Sequence, residues 1–250
     1  MKGVYGLKIE ALTNVGKVRK INEDSVASFV CDQYAYAIIA DGMGGHLAGE
    51  VASGMAVDII QEYIKDNITE DMDHFQVKEQ MIKAFHLANI HIYQYSCEND
   101  SVMGMGTTTT MCMVRNGYVI FAHVGDSRAY LIDKKIKQIT NDHSYVQELV
   151  KLGQITPEEA KVHPRRNYIT RAMGVEETVK VDAGIKTYKG QKILICSDGL
   201  HGKVDDDEIL AKVSKPDAKK SVKSLVKLAN DRGGEDNISV VIMEGEESDA

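Results

Sequence analysis

Asn116-Gly117 lies between two apolar runs, Thr107–Val114 and Tyr118–Val124, and this junction limits the fold more than any other feature. Both residues tolerate positive φ in a tight turn, so the flanking runs are expected to close as an antiparallel hairpin. A second hairpin follows directly, Arg128–Ile132 and Ile136–Ile139, turning at Asp133-Lys134-Lys135. Parallel strands need a long crossover between them, so two hairpins in succession argue against a doubly wound parallel sheet. The expected class is α+β, antiparallel sheets with helices grouped outside them.

The remaining pattern fits that frame. Residues 5–12 and 25–31 read as strands, and Tyr34–Ala40 is a continuous apolar run, as in a strand buried on both faces. Helical spacing of apolar residues predicts helices from about Gly49 to Asp66 and from about Val77 to Cys97. Residues 141–170 change character: a short amphipathic helix (Tyr145 to Leu152) precedes Gly153, Pro157, Pro164 and many charges. That reads as a surface flap, since long excursions in compact domains tend to be functional. Strands are expected again at Val179–Lys186, Lys192–Cys196 and Ile238–Met243, with helices at Asp205–Val213 and Ala218–Asn230. One domain over residues 1–244 and a short acidic tail, 245–250, account for the chain.

Composition excludes several function classes. A net charge of −7 argues against nucleic acid as the main partner. The cysteines, Cys31, Cys97, Cys112 and Cys196, form no CxxC pair, so they read as buried free thiols of a reducing cytoplasm and not as a zinc or redox site. No stretch approaches the roughly 20 apolar residues of a membrane helix, and there is no secretory h-region. A cytoplasmic protein is expected.

Four acidic motifs sit at the edges of these strands: Asn22-Glu23-Asp24, Asp41-Gly42-Met43-Gly44-Gly45, Ser197-Asp198-Gly199 and Glu235-Asp236-Asn237. A lone Asp-Gly is usually a turn. The set says more. Asp41 and Asp198 end apolar strands, Asp24 and Asp236 precede strands, and in antiparallel neighbours such ends meet at one sheet edge. Crowded carboxylates raise one another's pKa unless cations balance them, and an oxygen-only ligand group favours Mg²⁺ or Mn²⁺. A metal-dependent enzyme is expected.

With these residues in view, the chain resembles the metal-dependent serine/threonine protein phosphatases of type 2C, in their compact bacterial form. The matching segments run in order from Gly16-Lys17-Val18-Arg19-Lys20-Ile21-Asn22-Glu23-Asp24-Ser25 and Asp41-Gly42-Met43-Gly44-Gly45-His46 through Gly106-Thr107-Thr108, Gly125-Asp126-Ser127-Arg128 and Asp142-His143. They continue with Arg171-Ala172-Met173-Gly174, Cys196-Ser197-Asp198-Gly199-Leu200 and Asp236-Asn237-Ile238, and span nearly the whole chain. The resemblance implies a four-layer α/β/β/α sandwich of two packed antiparallel sheets flanked by helices.

It also implies roles. Asp41 would bridge two Mn²⁺ or Mg²⁺ ions, with the Gly42 carbonyl a further ligand, and Asp198 and Asp236 would complete the pair. Glu23 and Asp24 would act on the metal side, directly or through water, and Arg19 would hold the substrate phosphate as a forked donor. Water or hydroxide bridging the ions would attack phosphorus in line. Asp126 has two readings: a third, weaker ion, or a turn carboxylate that bonds backbone amides or pairs with Arg128.

The proton donor is open. Some relatives carry a general-acid histidine two residues after the bridging aspartate, where this chain has Met43. His46 and His143 read as turn- and loop-ordering residues and His123 as a core histidine. The expected substrates are phosphoserine and phosphothreonine proteins, including a cognate kinase, acted on by a monomer. A pseudo-phosphatase that binds phosphoproteins or a kinase, a small-molecule phosphatase and a two-metal nuclease are the alternatives, and the full aspartate set and the charge weigh against the first and last.

Overall fold

The computed structural model describes residues 6–44 and 48–245. Gly45, His46, Tyr5 of the first expected strand and residues 246–250 of the acidic tail lie outside them. The chain opens with β1 (Leu7–Asn14), β2 (Asp24–Val30) and β3 (Ala35–Met43), then α1 (Ala48–Asn67) and α2 (His74–Glu98). A 3-10 turn at Asp100–Val102 leads to β4 (Gly106–Thr107), β5 (Thr109–Arg115), β6 (Tyr118–Val124), β7 (Arg128–Ile132) and β8 (Ile136–Gln138). Two short helices, α3 (Tyr145–Lys151) and α4 (Pro157–Val162), occupy the expected flap segment. There follow β9 (Asp182–Thr187), β10 (Lys192–Cys196), α5 (Asp198–His201), α6 (Asp206–Val213), α7 (Ala218–Asp231) and β11 (Ile238–Gly245).

The strands form two sheets, ordered β1-β11-β10-β7-β8 and β2-β3-β5-β6-β9, with β4 beside the end of β3. Every paired neighbour is antiparallel. Asn116 and Gly117 both take positive φ, 48° and 78°, and close the β5–β6 hairpin as their side chains allow.

Strand alternation builds three cores and so four layers. On β3, Tyr36, Ile38 and Ala40 face α1 and α2 together with Phe85 and Ile92, while Ala35, Ala37 and Ile39 face the other sheet. On β10, Ile193 and Ile195 meet that inter-sheet core, and Leu194 and Cys196 pack outward against Leu225 and Ala229 of α7. Both central strands are therefore apolar at consecutive positions because each face meets a different layer. This is the expected α/β/β/α sandwich.

The differences from expectation have local causes. The α2 helix begins at His74, ahead of its first core residue, because Asp73 and Gln76 form a capping box there. The Thr107–Val114 run breaks at Thr108, whose amide donates to the Asp41 carbonyl at 2.8 Å. The strand expected from Val179 starts at Asp182, since the Lys180 carbonyl serves Arg171 at 3.1 Å. The expectation of buried thiols holds for Cys112 and Cys196 alone: Cys97 is exposed at the end of α2 and Cys31 is partly buried.

Candidate metal centre

Strand register brings the acidic motifs together. Asp24, first in β2, lies directly opposite Asp41 near the end of β3. Asp198 opens α5, one residue after Ser197 and two after the end of β10, so it is a helix N-terminal residue and not the strand end its sequence suggests. Asp236 precedes β11, the neighbour of β10. Like charges directly opposite one another destabilise a sheet, so this packing calls for a compensating charge.

Glycines permit the approach. A Cβ on Gly199 would lie 2.0 Å from the Asn237 carbonyl oxygen, and one on Gly42 would lie 2.0 Å from that of Gly49. The two loops carrying Asp198 and Asp236, and the turn after Asp41 with the start of α1, can therefore touch backbone to backbone only without side chains.

Asn237 ties the remaining loop into place. Its Oδ1 accepts from the Glu23 amide at 2.8 Å, and its Nδ2 donates to the Val15 and Ile21 carbonyls, each at 3.0 Å. The 15–23 segment, with Arg19 in it, is thereby fixed against the Asp236 loop. Arg19 Nη2 donates to Asp236 Oδ2 at 2.9 Å at the half-exposed mouth of the cleft.

The carboxylates behave as a crowded, dry group. Desolvation, then Asp24 and Asp198, hold the Asp41 pKa well above the ordinary range, and desolvation followed by Asp198 does the same to Asp126. Burial raises Asp24 to about 7, against hydrogen bonds from Ser239 and Ser197, and raises Asp198 to about 6, with Asp236 adding to the rise. Against that rise, the Arg19 charge and the neighbouring Asp41 carboxyl pull Asp198 down. Glu23 is raised too, again chiefly by desolvation.

The residues present fit hard divalent cations. Three buried carboxylate oxygens, Glu23 Oε1, Asp24 Oδ1 and Asp126 Oδ1, have no hydrogen-bond partner, and leaving such atoms unpaired is costly unless a ligand satisfies them. The other oxygen of Asp24 is fully used, accepting from Ser239 Oγ at 2.6 Å and Ser197 Oγ at 2.9 Å, so the free one is held in a fixed direction. No three His, Cys, Asp or Glu side chains among the described residues form a closed cage as they stand. The gathering is a cleft with some of the expected ligands engaged elsewhere, Asp236 by Arg19 in particular.

Met43 lines a neighbouring cavity of about 320 Å³ with Arg171, Ala172, Val175 and Lys180. Its thioether has no proton to give. His123 and His143 are buried, and their rings bond groups other than the clustered aspartates, as ordering residues. His123 Nδ1 accepts from Thr110 at 2.8 Å while Nε2 donates to the Asn141 carbonyl at 3.1 Å. His143 Nδ1 accepts from the Gly125 amide at 2.9 Å.

His201 carries no signal in the sequence. It lies three residues beyond Asp198, and its Nε2 donates to the Asp126 carbonyl at 3.0 Å. Asn237 was visible only as part of a motif, and its stapling role emerges from contacts 214–222 residues apart.

A two-sheet sandwich that gathers buried carboxylates at one edge fits the class of metal-dependent hydrolases. Comparison narrows the class. The protein phosphatase 2C family profile matches residues 17–240. Protein phosphatase PhpP of Streptococcus pneumoniae is 38% identical over 249 residues, 98% of this chain and 100% of that protein. The crystal structure of serine/threonine phosphatase Stp1 from Staphylococcus aureus superposes with a TM-score of 0.90 at 36% identity, covering 96% of each chain. The catalytic domain of the phosphatase PstP, in complex with two manganese ions, gives a TM-score of 0.82 at 34% identity over 96% of this chain and 98% of that one. The chain belongs to the protein phosphatase 2C family and is a metal-dependent protein phosphatase.

Proposed function

We propose that the chain hydrolyses phosphoserine and phosphothreonine on proteins, with Asp41, Asp198 and Asp236 holding two Mn²⁺ or Mg²⁺ ions at the cleft. The observation that carries this reading is the set of unpartnered buried oxygens on Glu23, Asp24 and Asp126 around the Asp41–Asp198 pair. When bound, such a pair of ions supplies Lewis acidity, lowering the pKa of water and balancing charge on the phosphoryl oxygens.

The chain's own residues do the rest. Asp41 and Asp198 present carboxylates from a strand and a helix start whose backbones are held, Asp41 by Thr107 Oγ1 on its carbonyl at 2.9 Å. Glu23 and Asp24 face the same side, with the Gly42 carbonyl as a further oxygen ligand. Asp126 holds a third, weaker ion. Arg19 offers its guanidinium at the mouth, where a phosphate dianion competes with Asp236 for it, and its planar fork suits tetrahedral oxygen pairs. Met43 leaves protonation of the leaving alkoxide to water or to another side chain.

The reading extends to the cell. Relatives named serine/threonine phosphatases support phosphoprotein substrates; our reading adds a cognate serine/threonine kinase among them and a place in bacterial signalling. The reading places the protein in the cytoplasm as a monomer; no helix among the described residues is long and apolar enough to cross a membrane. A Mn²⁺-dependent assay on phosphoserine, phosphothreonine and phosphotyrosine peptides tests the proposal. Hydrolysis of the first two, abolished by chelation and restored by Mn²⁺, is expected; activity unaffected by chelation, or confined to phosphotyrosine, overturns it.

A further inference from the structure

Asp126 sits in a loop held from two sides by histidines. On one side His143 and Gly125 bond twice: the Gly125 amide donates to His143 Nδ1 at 2.9 Å, and the His143 amide donates to the Gly125 carbonyl at 2.7 Å. On the other side His201 Nε2 donates to the Asp126 carbonyl at 3.0 Å. The loop between these clips has little room. Gly125 takes φ of +111°, and a Cβ there would fall 2.3 Å from Thr108 Cβ.

The His143 ring is itself oriented. Because His143 Nδ1 accepts, its proton lies on Nε2, which sits 3.2 Å from Asp182 Oδ2 and 2.9 Å from Arg171 Nη1. Arg171 donates to the other oxygen of Asp182 at 2.8 Å, and the Thr170 amide donates to the His143 carbonyl at 2.8 Å. His201 belongs to α5, the helix that Asp198 opens, so the clip runs from a core ligand's helix to the Asp126 backbone. Outer-shell groups of this kind fix ligand direction in metal sites, and their loss typically weakens binding.

We infer that His143 and His201 are positioning residues that aim the Asp126 carboxylate, and so set affinity for the ion it holds without touching that ion. The inference rests on the reading of Asp126 as a third-ion ligand. Asp126 Oδ1 is buried and unpartnered, and the two clips hold the backbone that carries it. His201 also ties the weaker site to the Asp198 helix, which makes its order depend on the core.

Isothermal titration of the full chain with Mn²⁺ separates the possibilities. Wild type is expected to show the tight pair and a weaker third event that Asp126→Asn removes. His143→Ala and His201→Ala are expected to weaken that third event by about 10–100-fold while the tight pair keeps its affinity within about twofold. His201→Gln retains a donor near the Nε2 position and is expected to restore most of the loss. A folded His201→Ala with wild-type affinity for the third ion overturns the inference. If His143→Ala fails to fold, the His201→Ala and His201→Gln pair decides, and equal third-ion affinity in both overturns it. Wild type with no third event overturns the reading of Asp126, and the inference with it, while leaving the two-ion core standing.

Discussion

Arg128 closes its guanidinium on Asp142 and not on Asp126. Nε lies 3.1 and 2.9 Å from the two Asp142 oxygens and Nη2 lies 2.7 Å from the second. Gln138 adds a bond of 2.7 Å to the first oxygen. Asp142 is thus held below the ordinary carboxylate range by Arg128 despite burial. The alternative partner for Asp126 in the Gly125-Asp126-Ser127-Arg128 motif is therefore taken, and Asp126 keeps a free oxygen.

Asp142→Asn is expected to destabilise the fold by about 3 kcal/mol, since removing one member of a buried pair leaves the other charge uncompensated. Urea unfolding at neutral pH measures it. A loss under about 1 kcal/mol would mean that the pair is solvated in solution, as surface pairs are.

Asp126→Ala acts differently. It removes a buried carboxylate with one unpartnered oxygen and breaks no ion pair, so the fold is expected to hold or gain slightly while activity weakens. A crystal of the variant grown with Mn²⁺ is expected to retain both core ions. Loss of both would place Asp126 in the core set instead of in a separate site.

Asp236→Ala is expected to lower hydrolysis of an aryl phosphate by more than about a hundredfold, beyond what losing an outer-shell partner costs. It also frees Arg19, so the guanidinium's availability for phosphate rises as metal binding falls. Full activity with normal metal binding in this variant would sink the assignment of Asp236.

Much of this was legible along the chain because it is written in local patterns. Consecutive hairpins set the class, the apolar run at Tyr34–Ala40 marked a strand buried on both faces, and Lys192–Cys196 read as a strand. Asp41 and Asp236 stood out at strand ends for the same reason. What stayed hidden depends on distant backbone. His201 became meaningful only once α5 folded against a loop 75 residues earlier. The choice of Asp142 over Asp126 by Arg128 is a matter of loop direction, which side-chain identity does not encode. Asp198 read as a strand end because Ser-Asp-Gly also suits a turn; in the fold Ser197 is the residue before the helix and Asp198 its first residue.

Gly199→Ala tests the backbone contact on which the cleft depends. The added methyl would lie 2.0 Å from the Asn237 carbonyl oxygen, and a backbone atom yields far less readily than a flexible side chain. A loss of about 3 kcal/mol is expected, the upper part of the range for overpacking. Activity is expected to fall further than stability, because relief of the clash moves Asp236 away from Asp198. Calorimetry beside an aryl phosphate assay separates the two effects. A variant as stable and active as wild type would show that the two loops are not in contact.

The buried histidine of β6 gives the protein a pH dependence of known sign. Desolvation first, and His143 second, push the His123 pKa down to about 4 from an ordinary 6.5. Both ring nitrogens are satisfied in the neutral form, Nδ1 accepting from Thr110 and Nε2 donating to Asn141. The unfolded chain therefore binds a proton near pH 6.5 that the folded chain refuses until about pH 4. Stability from this group is fully present above about pH 6.5 and is lost as pH falls toward 4, in total on the order of 3 kcal/mol. His123→Gln removes the titration, so its stability deficit at pH 7.5 is expected to shrink as pH drops to 5. Urea unfolding of both proteins at the two pH values provides the comparison. A deficit that stays constant or grows on acidification would mean that the ring is already protonated within the fold.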